Sequence, residues 1–232
     1  MIKIDNVCKK ETLELCNRYK VNIITIPHSF FKKEFLAQIS ADICIEFDDR
    51  YEGFIKDESK ILSFLENIPI KWVQFTSSNL ISEKSIKALK RRGVDIIYRR
   101  FDGLDSNEDI YWQFPAFSSD KDLSIRGIEK LFYKYGIYLQ IDILSSYADA
   151  WDVLKNDCGK HEEDITIAEI NEFADKYKTF MAINFNSKNF KEIKTALNRA
   201  YGYTLTVEGY REKFNENTIS VNELESFLKE FY

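Results

Sequence analysis

The chain has 232 residues, 44% hydrophobic, 15% aromatic and 31% charged, with only 8 Gly and 3 Pro. That length and apolar content allow a large core, and without a Gly-, Ser- or Pro-rich linker the chain reads as one domain over residues 1–232. A net charge of −5, with lysines scattered among acids, excludes the basic stripe of a nucleic-acid or anionic-membrane binder, and no apolar run approaches the roughly 18 residues of a membrane span.

The opening Met1-Ile2-Lys3 does not begin a signal sequence, so the expected location is cytoplasmic. Cys8, Cys16, Cys44 and Cys158 lack paired spacing and are expected to be reduced thiols. With only His28 and His161 beside them, no metal site is expected, and no cofactor motif is present.

Strand and helix signals alternate along the chain. Ile2-Lys3-Ile4-Asp5 reads as a short strand with its isoleucines on one face and an acid at its tip. A helical pattern follows from Glu11 to Tyr19, and Asp5 has the alternative role of capping it. Val21 to Ile26 is a β-branched strand stopped by Pro27, and Phe30 to Ile39 reads as a helical piece. Strands are expected at Ile43–Phe47, Trp72–Phe75 and Val94–Arg100, with helices over Ser59–Leu65 and from Ser85 through Leu89, the latter closed by Gly93. After a helix over Leu123–Tyr135, strands follow at Tyr138–Asp142, Phe180–Phe185 and Tyr203–Glu208, the last two joined by a helix over Phe190–Ala200. Ser220 and Glu223 form a capping box for a final helix over Val221–Phe231. Two long loops remain. One carries an aromatic segment near 103–119, and the other, over 145–165, holds a short helix.

Eight strands separated by helices in this length predict an α/β fold, a (β/α)8 barrel, with a doubly wound open sheet as the alternative. In a barrel the strand tips share one bowl, so Asp5 and Asp142 are expected to face each other across it. Paired carboxylates in a desolvated mouth split their proton affinities, which suits proton transfer next to a carbonyl or imine. The competing reading pairs them with Lys3 and Arg99 as structural ion pairs.

The chain resembles phosphoribosylanthranilate isomerase, the barrel of tryptophan biosynthesis. The family's opening K-I-C-G is similar to Lys3-Ile4-Asp5-Asn6, its V-Q-L-H-G to Val73-Gln74-Phe75-Thr76-Ser77, and its L-L-D to Gln140-Ile141-Asp142. Its G-x-G-K loop resembles Asp157-Cys158-Gly159-Lys160, its G-G-L-N-P-E-N-V the stretch from Ile183 to Phe190, and its D-V-S-S-G-V the stretch from Leu205 to Tyr210. The resemblance implies an Amadori-type isomerisation of an aminosugar or phosphosugar, with Asp5 in place of the family's cysteine as base and Asp142 as acid. The related isomerase of histidine biosynthesis uses such an Asp/Asp pair. Implied substrate-binding residues are Gln74, Gly159, Lys160, Asn184 and Gly209.

Two departures bear on substrate. Ile183-Asn184 and Val207-Glu208-Gly209 replace the family's small phosphate-binding residues, and a carboxylate about 4 Å from a phosphate costs on the order of 1 kcal/mol even in water. Lys160 or Arg211 would have to compensate. No arginine lies between Arg18 and Arg50 to clamp an aryl carboxylate, leaving Lys32 and Lys33 as point charges without the bidentate fork. The expected partner is a small-molecule substrate, phosphorylated or not. The alternative is a catalytically degenerate barrel that binds a ligand or a protein.

Overall fold

The computed structural model describes residues 1–37, 39–48, 57–76, 81–100, 129–143, 150–156, 166–183, 185–209 and 218–232. The 103–119 segment and the candidate residues Gly159, Lys160 and Asn184 lie outside the described residues. The strands are β1 (Ile2–Asp5), β2 (Ile23–Pro27), β3 (Asp42–Phe47), β4 (Trp72–Thr76), β5 (Asp95–Arg100), β6 (Tyr138–Ile143), β7 (Thr179–Ile183) and β8 (Gly202–Thr206). Each pairs in parallel with the next, and β8 returns to β1 from Ile2 opposite Tyr203 to Asp5 opposite Thr206, closing the barrel. This closure excludes the doubly wound alternative.

The helices are α1 (Lys10–Arg18), α2 (Glu58–Glu66), α3 (Glu83–Arg91), α4 (Glu129–Tyr135), α5 (Ala150–Asn156), α6 (Ile167–Tyr177), α7 (Phe190–Ala196) and α8 (Val221–Phe231). Their apolar stripes, such as Leu13 and Cys16 of α1 and Leu224 and Leu228 of α8, are buried in one cluster with the outward-facing Ile4, Ile24, Ile45 and Val73 of the strands. Helix α3 ends as expected at Gly93, whose φ is 74°: Gly93 N donates to Lys90 O at 3.0 Å and Val94 N to Leu89 O at 3.1 Å, a Schellman closure. The Ser220/Glu223 capping box forms at α8. A second box, Thr166 with Glu169, opens α6, a helix beyond those expected from the sequence.

The helix expected over Phe30–Ile39 is instead two 3-10 turns, His28–Phe30 and Lys33–Phe35. Phe31 and Lys32 between them are extended, with ψ of 129° and 136°, which interrupts any i→i−4 ladder. Phe30, Phe31, Phe35 and Leu36 still pack on the core, so burial rather than helix formation explains the apolar pattern. Asp5 does not cap α1 either, since the N-cap position is Lys9 and no side chain bonds there.

Register steps by one residue per strand around the barrel, so side chains inside it stack in layers from alternate strands. Ile23, Trp72, Tyr138 and Gly202 lie at the N-terminal end, and Lys3, Cys44, Ile97 and Phe180 come next. Above them are Thr25, Gln74, Gln140 and Thr204, then Asp5, Glu46, Arg99 and Ala182, and at the C-terminal mouth Pro27, Thr76, Asp142 and Thr206. The lumen is thus apolar at its base and polar through its upper half.

Candidate active site

Strands of a parallel sheet covered by helices are normally apolar on both faces. Here the lumen-facing positions of β1, β3, β4, β5 and β6 carry Lys3 and Asp5, Glu46, Gln74, Arg99, and Gln140 and Asp142. All are buried, Asp142 at 3% being the most exposed. Desolvating charge is expensive, so this arrangement persists only if each group is paired and hydrogen-bonded.

The bonds form one network. Lys3 Nζ donates to Asp5 Oδ1 and, at 2.7 Å, to Gln140 Oε1, which also accepts from Thr204 Oγ1 at 3.3 Å. Gln140 Nε2 donates to Asp5 Oδ2 at 3.0 Å and to Asp142 Oδ1 at 3.4 Å, so one amide nitrogen joins the two aspartates. Arg99 grips Asp142 with a fork, Nε to Oδ2 at 2.6 Å and NH2 to Oδ1 at 2.8 Å, while its NH1 donates to Glu46 Oε1 at 3.3 Å. Gln74 Nε2 completes the ring, donating to Glu46 Oε1 at 2.7 Å and to Asp5 Oδ2 at 3.5 Å. Below it, burial pushes the Cys44 thiol up to about 12, which leaves it protonated.

Of the residues singled out in the sequence, Asp5, Asp142 and Gln74 are brought together. Lys32 and Lys33 are exposed after β2, with no hydrogen bond or ion pair to the network. Gly209 is half-buried, and an added Cβ there would lie 2.6 Å from Asn6 Nδ2. The amides expected to hold phosphate are largely occupied. Val207 N donates to Asp5 O and Glu208 N to Ile219 O, while Asn186 N, Lys188 N and Asn189 N are taken by the Asn186 and Asn189 side chains.

Glu46, Thr204 and the bridging role of Gln140 were not anticipated. On β1, β4, β6 and β8 polar residues recur two apart, Lys3/Asp5, Gln74/Thr76, Gln140/Asp142 and Thr204/Thr206, an alternation that shows they share a face without saying which face it is, and Glu46 of β3 lacks even that signal.

Chemically, the two halves of the network differ. Lys3 pairs with Asp5 in the inner layers of the lumen. Arg99 cannot give up its proton, so it holds Asp142 as an anion at the mouth.

Fold and lumen together define a (β/α)8 barrel whose polar groups gather toward the C-terminal end, where barrels of this kind build their sites. Solved structures similar to this chain include phosphoribosylanthranilate isomerase from Pyrococcus furiosus, at 14% identity and a TM-score of 0.57 over 99% of this chain and 97% of that one. The isomerase from Thermococcus kodakaraensis matches at 15% and 0.57 over the same shares, and orotidine 5'-phosphate decarboxylase from Pyrococcus horikoshii OT3 at 9% and 0.53 over 99% and 98%. No protein-family model matches the chain, and no curated protein matches it in sequence. At these identities the likeness establishes the barrel.

Proposed function

We propose that the chain is an isomerase similar to phosphoribosylanthranilate isomerase, acting on an open-chain aminosugar or phosphosugar at the barrel mouth. The observation that carries this reading is the single Gln140 amide nitrogen bonding both Asp5 and Asp142, which places two strand-tip carboxylates in one buried cluster. In this reading the Asp5 carboxylate takes the proton from C2 of the iminium, whose C=N electrons move to nitrogen to give the enol-amine. The proton now on Asp5 returns to C1 as the C2 hydroxyl gives its proton to solvent and becomes a ketone. Lys3, bonded to Asp5, stabilises the carboxylate before and after the transfer. In place of the acid role that the resemblance implies for Asp142, this reading makes it a carboxylate, gripped by the Arg99 fork, that faces the cationic iminium and stabilises it.

The test is proton exchange in D2O with aldose phosphates and N-aryl aldosylamines, read as deuterium at C1 and C2 by NMR. Wild-type protein is expected to exchange, and Asp5→Asn to lose roughly 100-fold or more. Exchange by Asp5→Asn at the wild-type rate overturns the proposal. Rescue of a tryptophan auxotroph is not expected, because no arginine follows β2 to clamp the anthranilate carboxylate.

A second reading, a barrel that binds without catalysis, is favoured by the occupied amides after β7 and β8. It predicts no exchange with any sugar and no rise in melting temperature with sulfate or phosphosugars.

A further inference from the structure

Asp5 is the last residue of β1, and the residue after it turns the chain out of the barrel in an unusual way. Asn6 is fully buried and has a φ of 65°, in the left-handed region that side chains other than asparagine, aspartate and glycine rarely enter. Its side chain folds back across the closing seam, where Nδ2 donates to Val207 O at 2.6 Å. The same residue of β8's extension donates its own N–H to Asp5 O at 3.1 Å, and on the other side Val7 N reaches Thr25 O of β2 at 3.0 Å. The Cys8 thiol donates to Asn6 Oδ1 at 3.3 Å, so both ends of the amide are held. The tip of β1 is therefore stitched to both neighbouring strands, and Asn6 supplies the tie on the β8 side.

Gly209 fits the same arrangement. A Cβ at this position would meet Asn6 Nδ2 at 2.6 Å, closer than real side chains come, and its Cγ and Oδ1 at 3.1 Å. Any larger residue at 209 would have to displace the Asn6 amide.

We propose that Asn6 is the positioning residue for Asp5: its left-handed backbone and its amide bond to Val207 fix the direction in which the Asp5 carboxylate enters the lumen, with Gly209 as the space that admits the amide. The assignment rests on Asp5 being the proton-carrying group. It adds a constraint from the end of β8 on the geometry at the end of β1, and it predicts that substitutions at 209 are felt at Asp5.

The test needs no substrate. Protein carrying 13C-carboxyl aspartate is titrated by NMR, with the Asp5 and Asp142 signals assigned from Asp5→Asn and Asp142→Asn. Asn6→Ala and Gly209→Ala are each expected to move the Asp5 signal and shift its midpoint by about one pH unit or more, a tenfold change in proton affinity, with the Asp142 signal unmoved. Asn6→Gly combined with Gly209→Ala is expected to relieve the steric conflict, regaining the melting temperature lost by Gly209→Ala while the Asp5 signal stays shifted, because the amide is gone. Should Asn6→Ala not fold, Gly209→Ala and Asn6→Gly carry the measurement. An Asp5 signal and midpoint equal to wild type in the folded variants, beside a lowered melting temperature, overturns the proposal and leaves Asn6 as scaffold. Failure of the isomerase reading gives a different result: the carboxyl signal still moves in Asn6→Ala while Asp5→Asn shows undiminished exchange.

Discussion

Arg99→Met is the sharpest test of the ionic lumen. The guanidinium is fully buried and bonds Asp142 through the fork at 2.6 and 2.8 Å and Glu46 at 3.3 Å. A charge-assisted hydrogen bond is worth about 1.5–3 kcal/mol, so losing the fork alone costs roughly 3–6 kcal/mol. The independent figure for removing one partner of a buried ion pair, about 3–5 kcal/mol, falls in the same range. Methionine fills much of the vacated volume, so the loss is mainly electrostatic. At this chain length each kcal/mol moves the melting temperature by roughly 2–4 °C, giving an expected fall of about 6–20 °C. Urea unfolding followed by circular dichroism measures the loss directly. Adding Asp142→Leu removes the orphaned anion and is expected to recover a substantial part of it, while Glu46 keeps its bond from Gln74 at 2.7 Å. A loss under about 1 kcal/mol for Arg99→Met, or no recovery in the double variant, refutes the reasoning that these charges are desolvated and mutually dependent.

Other consequences are as direct. Gly202→Ala puts a Cβ 2.8 Å from the Phe180 ring and 3.1 Å from Met1 O at the base of the lumen, and is expected to destabilise by about 1–3 kcal/mol in the same urea assay. Burial pushes the thiols of Cys16 and Cys44 up to about 12, so in native protein at pH 8 mass spectrometry after iodoacetamide is expected to find both unmodified and the half-buried Cys8 labelled. Hydrogen bonds from Lys134 and Tyr135 hold Glu83 down at about 2 from its usual 4.5. A depressed carboxylate contributes stability above the unfolded value and loses it as pH falls through the folded one, so this contribution fades between pH 4.5 and 2. The pair is exposed and its share is small. Acid unfolding curves of Lys134→Met are expected to lose that part of the pH dependence.

The barrel was legible because its strands are short, β-branched and regularly spaced, and because Gly93, Ser220 and Glu223 carry helix-end chemistry that local sequence dictates. Helix α6 lies outside the expected elements although Thr166 and Glu169 spell its capping box, because it directly follows the long 145–165 segment with no Gly or Pro to mark its start. The 3-10 turns after β2 show tertiary packing overriding an apolar pattern. At the site, the strand-tip aspartates and their pairing with Lys3 and Arg99 were both readable as rival possibilities, and the structure makes them parts of one network. Glu46 and Thr204 were not, because sequence alternation says which residues share a face but not that the face is the lumen. The left-handed turn at Asn6 was not readable either, although asparagine is one of the few residues with a side chain that enter that region readily.

The charged lumen also bears on how the chain acquires its shape. Apart from the Lys3–Asp5 pair within β1, its partners come from distant parts of the sequence, Lys3 with Gln140 and Arg99 with Asp142, so no early fragment contains the whole neutralised set. An assembly intermediate with several strands aligned but the ring still open leaves ammonium, guanidinium and carboxylate groups hydrated, and sealing it dry in a wrong order strands a charge. Late dehydration of the interior thus acts as a checkpoint on correct annular assembly, favouring all-or-none formation over a persistent half-ring.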